Sequence, residues 1–205
     1  KEIPLFRGAV LKSLGDKANV LYHNHTGEGA FRYSYPLIQY KRLNGKAAIT
    51  CIEEGIELIG EVLSELSSSI NIGERETDCK VIQILPSKEL IQINDGLIEY
   101  RLHQWLPLNA KNYEHYQNAE SLFERIEMLE RVLIGNILSF LKGVGIHLDE
   151  KIEIHITDIF KHNANTYKNV KLIAFDIRFK VNISLPAYIG IGKNASIGNG
   201  VLSKI

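Results

Sequence analysis

Two histidines, His23 and His25, stand one residue apart near the start of the chain. An extended segment projects residues i and i+2 to the same side, so both imidazoles can face one pocket. Because the unperturbed histidine pKa is about 6.5, one imidazole can accept a proton while the other donates one near neutral pH. Cleavage of RNA by its own 2′-hydroxyl needs such a base and such an acid. The same spacing also fits two metal ligands or two surface histidines, and all three interpretations stay open at this point.

The rest of the sequence offers little support for a metal site. The other histidines complete no recognisable zinc spacing; they are His103, His115, His147, His155 and His162. A metal-dependent phosphoesterase built on His23 and His25 finds only Glu28 as a further ligand nearby. The two cysteines, Cys51 and Cys79, form no metal-binding pattern and are typical of half-buried thiols in a reducing cytoplasm. We therefore expect a cytoplasmic protein without a metal or other cofactor.

A glycine-rich loop near the C-terminal end is the second candidate site. Two G-x-G pairs, Gly190 with Gly192 and Gly198 with Gly200, flank a segment that begins with Lys193. Glycine lets backbone amides approach an anion closely, and a lysine adds positive charge. The spacing matches neither a dinucleotide fingerprint nor a P-loop. The loop therefore either holds a phosphate backbone or only turns the chain after a strand.

Basic and aromatic residues alternate through residues 31–42, FRYSYPLIQYKR, which form the third candidate site. Such a run offers stacking planes and phosphate contacts for unpaired RNA. Arg32 and Arg42 are the candidate RNA contacts here. Pro36 indicates an edge or a bulge if the run is a strand. A half-buried strand with amphipathic tyrosines explains the same pattern equally well.

The charge is unevenly distributed along a chain whose net charge is zero. Residues 1–50 carry eight Lys/Arg and three Asp/Glu, and residues 161–205 carry seven Lys/Arg and one Asp. The middle of the chain, 51–160, has nine basic and twenty acidic residues. A fold that brings the two basic ends together would offer a positive groove to a polyanion. No stretch approaches the roughly 18 consecutive apolar residues of a membrane helix.

In the first half, the hydrophobic pattern predicts a helix over 4–14, a hairpin and a second helix over 55–66. The hairpin strands cover 31–42 and 47–52, with a tight Asn44-Gly45 turn between them. Residues 67–79 are expected to be a polar connector, followed by a hairpin over 80–85 and 90–93. A strand that precedes the first helix is expected upstream of Lys1.

In the second half, the pattern predicts a strand over 97–106, a link over 113–118 and a long helix over 119–142. A long hairpin from 152 to 185 follows, in which polar residues alternate with buried ones. Arg178 and Lys180 lie on its polar face as candidate RNA contacts. The expected fold class is α+β, with two tandem ferredoxin-like (RNA-recognition-motif-like) halves, antiparallel sheets and the C-terminal glycine-rich loop. The halves are assigned to residues 1–100, with the histidine pair, and 101–205.

Together these features resemble the CRISPR-associated repeat-cleaving endoribonucleases (the Cas six family), in the branch with two neighbouring histidines. Four segments carry the resemblance, which spans nearly the whole chain. They are PLFRGAV (4–10), HNHTGEG (23–29), FRYSYPLIQYK (31–41) followed by GKAA (45–48), and GIGKNASIGNG (190–200).

The resemblance implies metal-independent cleavage of CRISPR precursor RNA within the repeat, which leaves a 2′,3′-cyclic phosphate and a 5′-hydroxyl. It makes His25 the first candidate for general acid or base and His23 its partner. It also makes Tyr33 and Lys41 candidates for positioning the 2′-hydroxyl or stabilising charge. The glycines of the C-terminal loop and Lys193 would bind RNA.

CRISPR repeat RNA is the expected partner of the chain. Association with other subunits of a CRISPR interference complex, and homodimerisation, are further partner interactions that the sequence leaves open. The alternative function is a non-catalytic CRISPR RNA-binding relative of the same fold.

Overall fold

A computed structural model describes residues 2–17, 35–66, 68–167 and 170–205, with the side chains of 16, 110, 111 and 161–172 left out. The chain divides into two compact units. The first contains residues 1–88 together with 196–198, and the second contains 89–195 together with 199–205. The boundary predicted between residues 100 and 101 falls inside a strand of the second unit, because that strand begins before the predicted position.

The first unit combines helices with two small antiparallel sheets. Its elements are α1 (Glu2–Leu14), β1 (Ile38–Leu43), β2 (Lys46–Cys51), α2 (Glu54–Glu57), α3 (Ile59–Glu65), β3 (Ser69–Ile72) and β4 (Arg75–Asp78). β1 pairs with β2, and β3 pairs with β4. The predicted helices over 4–14 and 55–66 are confirmed, the second as two consecutive short helices.

The β1–β2 hairpin forms where the sequence predicts it. Asn44 and Gly45 occupy the turn with φ values of 49° and 80°. Positive φ at both central residues is the requirement of the tight turn that suits the twist of a hairpin, and Asn-Gly meets it at low cost. β1 begins at Ile38. Pro36 therefore precedes the strand and leaves its hydrogen bonding intact.

The core of the first unit lies between α1 and the strands beside it. Phe6 and Val10 of α1 belong to one buried cluster with Ile38, Tyr40 and Ile70 of the strands. The ring of Phe6 meets the ring of Tyr40 edge-on at 5.9 Å between centroids. Ile38 and Tyr40 share one face of β1 because side chains alternate along a strand. The other face of β1 carries Gln39 and Lys41, which are also buried.

Two local predictions for this unit are wrong. Residues 67–79 contain the β3–β4 hairpin instead of a connector, because Ile70 and Ile72 alternate with polar residues and Gly73 turns the chain at φ 66°. Residues 80–85 carry the residues of a strand, but they form no helix or strand. A strand needs a partner for its backbone groups, and in this chain that segment has none among the described residues.

The second unit is built on one four-stranded antiparallel sheet. Its elements are β5 (Ile93–Trp105), α4 (Ala110–Asn118), α5 (Leu122–Gly143), β6 (Ile154–Tyr167), β7 (Val170–Ile183) and β8 (Val201–Lys204). The strand order is β6-β7-β5-β8. This is the order of a β-α-β-β-α-β ferredoxin-like unit, with the glycine-rich loop in the position of the second helix. The predicted link over 113–118 is wrong, because Asn109 accepts from the amide of Asn112 and caps α4.

α5 and the sheet form the core of this unit. Ser121 caps the helix by accepting from the amide of Glu124. Leu129, Leu133 and Ile137 lie on one side of α5 and are fully buried. The helix contacts β6, and its Asn136 accepts from the indole Nε1 of Trp105 at 2.9 Å. The inward face of β7 is buried over its second part, at residues Phe175, Ile177, Phe179, Val181 and Ile183.

No helix among the described residues is long and apolar enough to cross a membrane. α5, the longest helix, carries charged residues at several positions of its exposed face.

Candidate functional site

Lys41 lies on the face of β1 that points away from α1, and it is fully buried. Its Nζ donates to Gln39 Oε1 at 2.7 Å. The amide nitrogen of Gln39 donates in turn to Tyr35 Oη at 2.8 Å and to the carbonyl of Pro36 at 2.9 Å. We call Tyr35, Gln39 and Lys41 the buried network. It holds a fully buried lysine amine at a fixed place.

Burial controls the protonation of the buried network. A charged group loses hydration energy inside a protein, so burial disfavours the ammonium form of lysine. Burial lowers the pKa of Lys41 to about 7. Burial also raises the pKa of the Tyr35 hydroxyl, which therefore stays protonated. Near neutral pH, Lys41 can hold or lose a proton, whereas an ordinary surface lysine holds it.

One glycine of the C-terminal loop belongs to the same unit as the buried network. Gly198 has φ 90°, and a Cβ at this position would lie 3.4 Å from the carbonyl oxygen of Tyr40 and 3.5 Å from Cα of Lys41. The loop backbone therefore passes close to β1 at the residue that carries the amine. A side chain at Gly198 would be strained by the positive φ.

The other loop glycines are required by close packing within the second unit. A Cβ at Gly200 would collide with the carbonyl oxygen of Ile191, and one at Gly190 would lie 2.9 Å from Cβ of Ala195. A Cβ at Gly192 would lie 2.7 Å from Asn136 Oδ1. Gly190 and Gly200 are buried, whereas Gly192 is partly accessible. The glycines thus let the loop fold tightly upon itself, and their predicted contact with RNA stays a prediction.

The open face of the second sheet carries an aromatic ring between two guanidinium groups. Phe160 is 48% exposed. The guanidinium of Arg101 lies 4.9 Å from the centroid of its ring, and that of Arg178 lies 5.3 Å from it. Arg101 and Arg178 are register partners on the neighbouring strands β5 and β7. We call Arg101, Phe160 and Arg178 the exposed cluster.

The two arginines of the exposed cluster differ in their acidic neighbours. Arg178 forms ion pairs with Glu99 at 3.5 Å and with Asp158 at 3.8 Å. Arg101 forms no ion pair with any residue that the structure describes. Its charge remains available to an anion that approaches the sheet. Lys180 is exposed on the same face, beside Glu99 in register.

The remaining predicted site residues have the following places. His23, His25, Arg32 and Tyr33 lie outside the described residues. Arg42 is exposed beside the β1–β2 turn, where it donates to the carbonyl of Gly45 and lies 3.6 Å from Glu2. Lys193 is exposed in the glycine-rich loop.

Among the described residues, no group of three or more His, Cys, Asp and Glu side chains could hold a metal ion. Cys51 and Cys79 are both free and half-buried.

Four residues of these sites are not named individually in the sequence-based prediction: Tyr35, Gln39, Arg101 and Phe160, of which the first two lie within the run 31–42. Gln39 is the centre of the buried network, and its spacing of two from Lys41 is the only signal in the sequence that could have found it. Arg101 lies in the alternating run of β5, in which odd-numbered residues from 99 to 103 are polar. Phe160 is an aromatic residue among polar neighbours in β6. An exposed phenylalanine on a sheet face is a signal for stacking.

Comparison with known proteins places the chain in the class of CRISPR-associated proteins with the Cas6 fold. One family model, the Cas6b N-terminal domain, matches residues 1–90, and another, the Cas6b C-terminal domain, matches residues 92–205. The chain therefore belongs to the Cas6b family.

Two crystal structures of Cas6b and one uncharacterized protein are similar to the chain. A crystal structure of Cas6b has 31% sequence identity and a TM-score of 0.90, with 100% of this chain and 92% of that chain covered. The crystal structure of a CRISPR RNA processing endoribonuclease, Cas6b, has 31% identity and a TM-score of 0.69, with 84% and 83% covered. An uncharacterized protein of Methanocaldococcus jannaschii is 32% identical over 114 residues, which are 55% of this chain and 76% of that protein. The expected α+β fold of two ferredoxin-like halves is confirmed.

Proposed function

We propose that the chain is an endoribonuclease that cleaves CRISPR precursor RNA within the repeat and so produces the mature guide RNA. Family membership over both units is the observation that carries this proposal. A similar structure of 31% identity is that of a CRISPR RNA processing endoribonuclease. The residues that follow are assigned from their chemistry and from their place in the fold.

In the proposed reaction the RNA supplies its own nucleophile. One histidine of the pair, His23 or His25, removes the proton of the 2′-hydroxyl, whose oxygen then attacks the adjacent phosphorus. The other histidine donates a proton to the 5′-oxygen as its bond to phosphorus breaks. The products are a 2′,3′-cyclic phosphate and a 5′-hydroxyl. The step needs no metal ion because one imidazole accepts the proton of the nucleophile and the other donates a proton to the leaving oxygen.

Lys41 is proposed to favour this reaction by its charge. The attack places additional negative charge on the phosphate oxygens, and a fixed cation in a medium of low dielectric constant stabilises it strongly. Lys41 is covered in the structure, so we assign it action through the electric field without contact to the RNA. Tyr33 remains the candidate for positioning the 2′-hydroxyl.

The exposed cluster is proposed to hold the RNA on the second unit. A base can stack on Phe160, and Arg101 can neutralise a phosphate beside it. Arg178 orients the ring while its own charge is compensated by two carboxylates. Arg32, Arg42, Lys180, Lys193 and the accessible loop glycines would add contacts to the RNA backbone.

The test is a cleavage assay on labelled CRISPR repeat RNA in the presence of EDTA. Wild type is expected to cut at one position, whereas His23→Ala and His25→Ala each lose about a hundredfold or more in rate. An RNA with a 2′-deoxy sugar at the cut site should stay whole. His147→Ala is the matched control, because His147 is exposed and lies outside every proposed site.

Two other outcomes would replace the proposal. Tight binding of RNA without cleavage at any pH would make the chain a non-catalytic RNA-binding relative. Cleavage that stops in EDTA and returns with a divalent metal would make His23 and His25 metal ligands.

A further inference from the structure

A cavity of about 340 Å³ lies between α1 and the two hairpins of the first unit. Its apolar part is formed by side chains that belong to the core of this unit or border it, among them Ile3, Phe6 and Ile72. The volume lies in the range of about 300–1,000 Å³ that is typical of sites for small ligands. None of the residues that line the cavity belongs to the buried network or to the exposed cluster.

Two arginines line this cavity, one from each hairpin. Arg42 follows Tyr40 by two positions on β1, so its side chain lies on the face of the strand that packs against α1. Arg75 is the register partner of Ile72, so these two side chains share a face of the β3–β4 hairpin. Both arginines are exposed. Each hairpin therefore carries an apolar residue in or beside the core and a guanidinium at the open side of the cavity.

The residues that line the cavity carry a net positive charge, because the two arginines are accompanied by one acid, Glu2. Arg75 forms no ion pair with any residue that the structure describes. Arg42 lies 3.6 Å from the carboxylate of Glu2, whose side chain is 80% exposed. An ion pair this exposed contributes little energy, so an anion that enters the cavity can replace Glu2 at small cost.

We propose that this cavity binds one nucleotide of the RNA, with the base in the apolar part and the phosphate between Arg42 and Arg75. A nucleotide joins a flat, largely apolar ring to an anion, and proteins bind unpaired RNA by holding such bases singly. The hydroxyl of Thr77 lines the cavity and donates to the carbonyl of Arg75 at 3.4 Å. Its oxygen can still accept from an N–H group of a base, whereas a fatty acid offers no such donor.

The first test is an NMR titration of the full chain, labelled at isoleucine methyl groups, with adenosine 5′-monophosphate. The signals of Ile3 and Ile72 should shift with a dissociation constant on the order of 1 mM. Ile56, which is exposed on α2 outside the cavity, is the internal control. Adenosine or inorganic phosphate alone should bind at least about threefold more weakly, because each fills one part of the cavity. Equal binding of inorganic phosphate, or no shift at Ile3 and Ile72, would overturn the proposal.

Variants of the lining residues test charge and shape separately. Arg75→Ala should weaken binding of adenosine 5′-monophosphate about tenfold through the loss of a charged hydrogen bond. Ala47→Leu fills the cavity from its exposed side, keeps both arginines and should also weaken binding. Glu2→Gln removes the carboxylate that competes for Arg42 and should strengthen binding about twofold, which a folding defect would not do. Lys12→Ala, an exposed charge in the last turn of α1, is the control. Equal affinities of Arg75→Ala and Lys12→Ala would contradict the proposal.

The second test asks whether the nucleotide belongs to RNA, which is the part of the proposal that rests on the proposed function. Repeat RNA with a 2′-deoxy sugar at the cut site is expected to displace adenosine 5′-monophosphate from the cavity. Arg75→Ala should weaken binding of this RNA about fivefold, and Glu2→Gln should strengthen it. RNA that leaves the mononucleotide bound and binds Arg75→Ala as tightly as wild type would exclude RNA as the occupant. Binding is measured here without cleavage, so a chain that binds RNA in this way but never cuts it would contradict only the proposed function.

Discussion

Lys41 of the first unit and Arg101 of the second are both cations on β-strands, but they lie in opposite surroundings. Lys41 is fully buried and donates to Gln39, and burial lowers the pKa of its amine to about 7. Arg101 is partly exposed and lies beside the 48% exposed ring of Phe160. A buried charge acts strongly on its near surroundings, whereas an exposed one attracts a polyanion.

We therefore expect the buried network and the exposed cluster to affect different properties of the protein. The buried network should govern the rate of cleavage, because it acts on charge that develops during the reaction. The exposed cluster should govern the affinity for RNA, because it acts equally before and during the reaction. For each of the following substitutions, the single-turnover rate and the RNA dissociation constant are to be measured together. The first quantity reports the effect on cleavage, and the second reports the effect on RNA binding.

The largest effect is expected from Lys41→Met, which keeps the length of the side chain and removes its charge. The single-turnover rate should fall about a hundredfold with an RNA affinity close to wild type, since the lost interaction belongs to the transition state. Lys46→Met, the same change at an exposed position of β2, is the control. An unchanged rate would show that Lys41 has only a structural role. The buried network and the exposed cluster would then not differ in their effect on the cleavage rate.

Gln39→Glu should move the pH dependence of the rate. Burial favours the neutral amine of Lys41, whereas a carboxylate beside it favours the ammonium and raises its pKa. The ammonium then survives to higher pH, so the alkaline decline in rate should shift upward by about one pH unit. Gln39→Leu adds no charge and serves as the control. If the pH–rate profile shifts equally in both variants, the shift results from changed packing and not from the added charge.

Phe160→Ala should weaken RNA binding about fivefold through the loss of one stacked base, with the rate at saturating protein unchanged. Arg101→Ala should have a similar effect and should also reduce the salt dependence of binding. Phe123→Ala is the control, because Phe123 is 69% exposed on α5. A lower cleavage rate at saturating protein, with an unchanged RNA dissociation constant, would show that the exposed cluster acts on cleavage and not on binding.

The smallest effect is expected from Lys180→Ala and Lys193→Ala. Each removes one exposed positive charge and should weaken RNA binding by about threefold. The slope of log K against log salt concentration should decrease by about 0.7 in each variant. Lys151→Ala, another exposed lysine of the second unit, should leave the slope unchanged.

Much of the fold follows from the periodicity of the sequence. α5 and the β6–β7 hairpin are long, so their patterns repeat often enough to be distinctive. The β3–β4 hairpin and β8 have only four residues per strand, and so short a pattern resembles a loop. Residues 80–85 show the reverse case. Their local preference predicts a strand that they do not form. A strand also requires a neighbour, and local sequence carries no information about it.

The candidate site was predictable only in its residue types. The sequence predicted Lys41 and Arg178 as candidate site residues, but not that the first is buried and the second is paired with two carboxylates. Burial depends on what covers both faces of a strand, and β1 is buried on both faces at positions 38–41. The loop glycines were predicted as a cradle for an anion, whereas the collision at Gly200 shows that at least one is required for packing.

The position of β8 has a consequence for the order of folding. β8 pairs with β5, a strand roughly a hundred residues earlier in the chain. Closing so long a loop is slow because its entropy is lost before the contacts form. Until β8 pairs, the backbone N–H and C=O groups along one edge of β5 lack their strand partner. The glycine-rich loop is then attached to the sheet only at the end that follows β7. The second unit should therefore pass through a late three-stranded stage, in which this open edge is its most aggregation-prone surface.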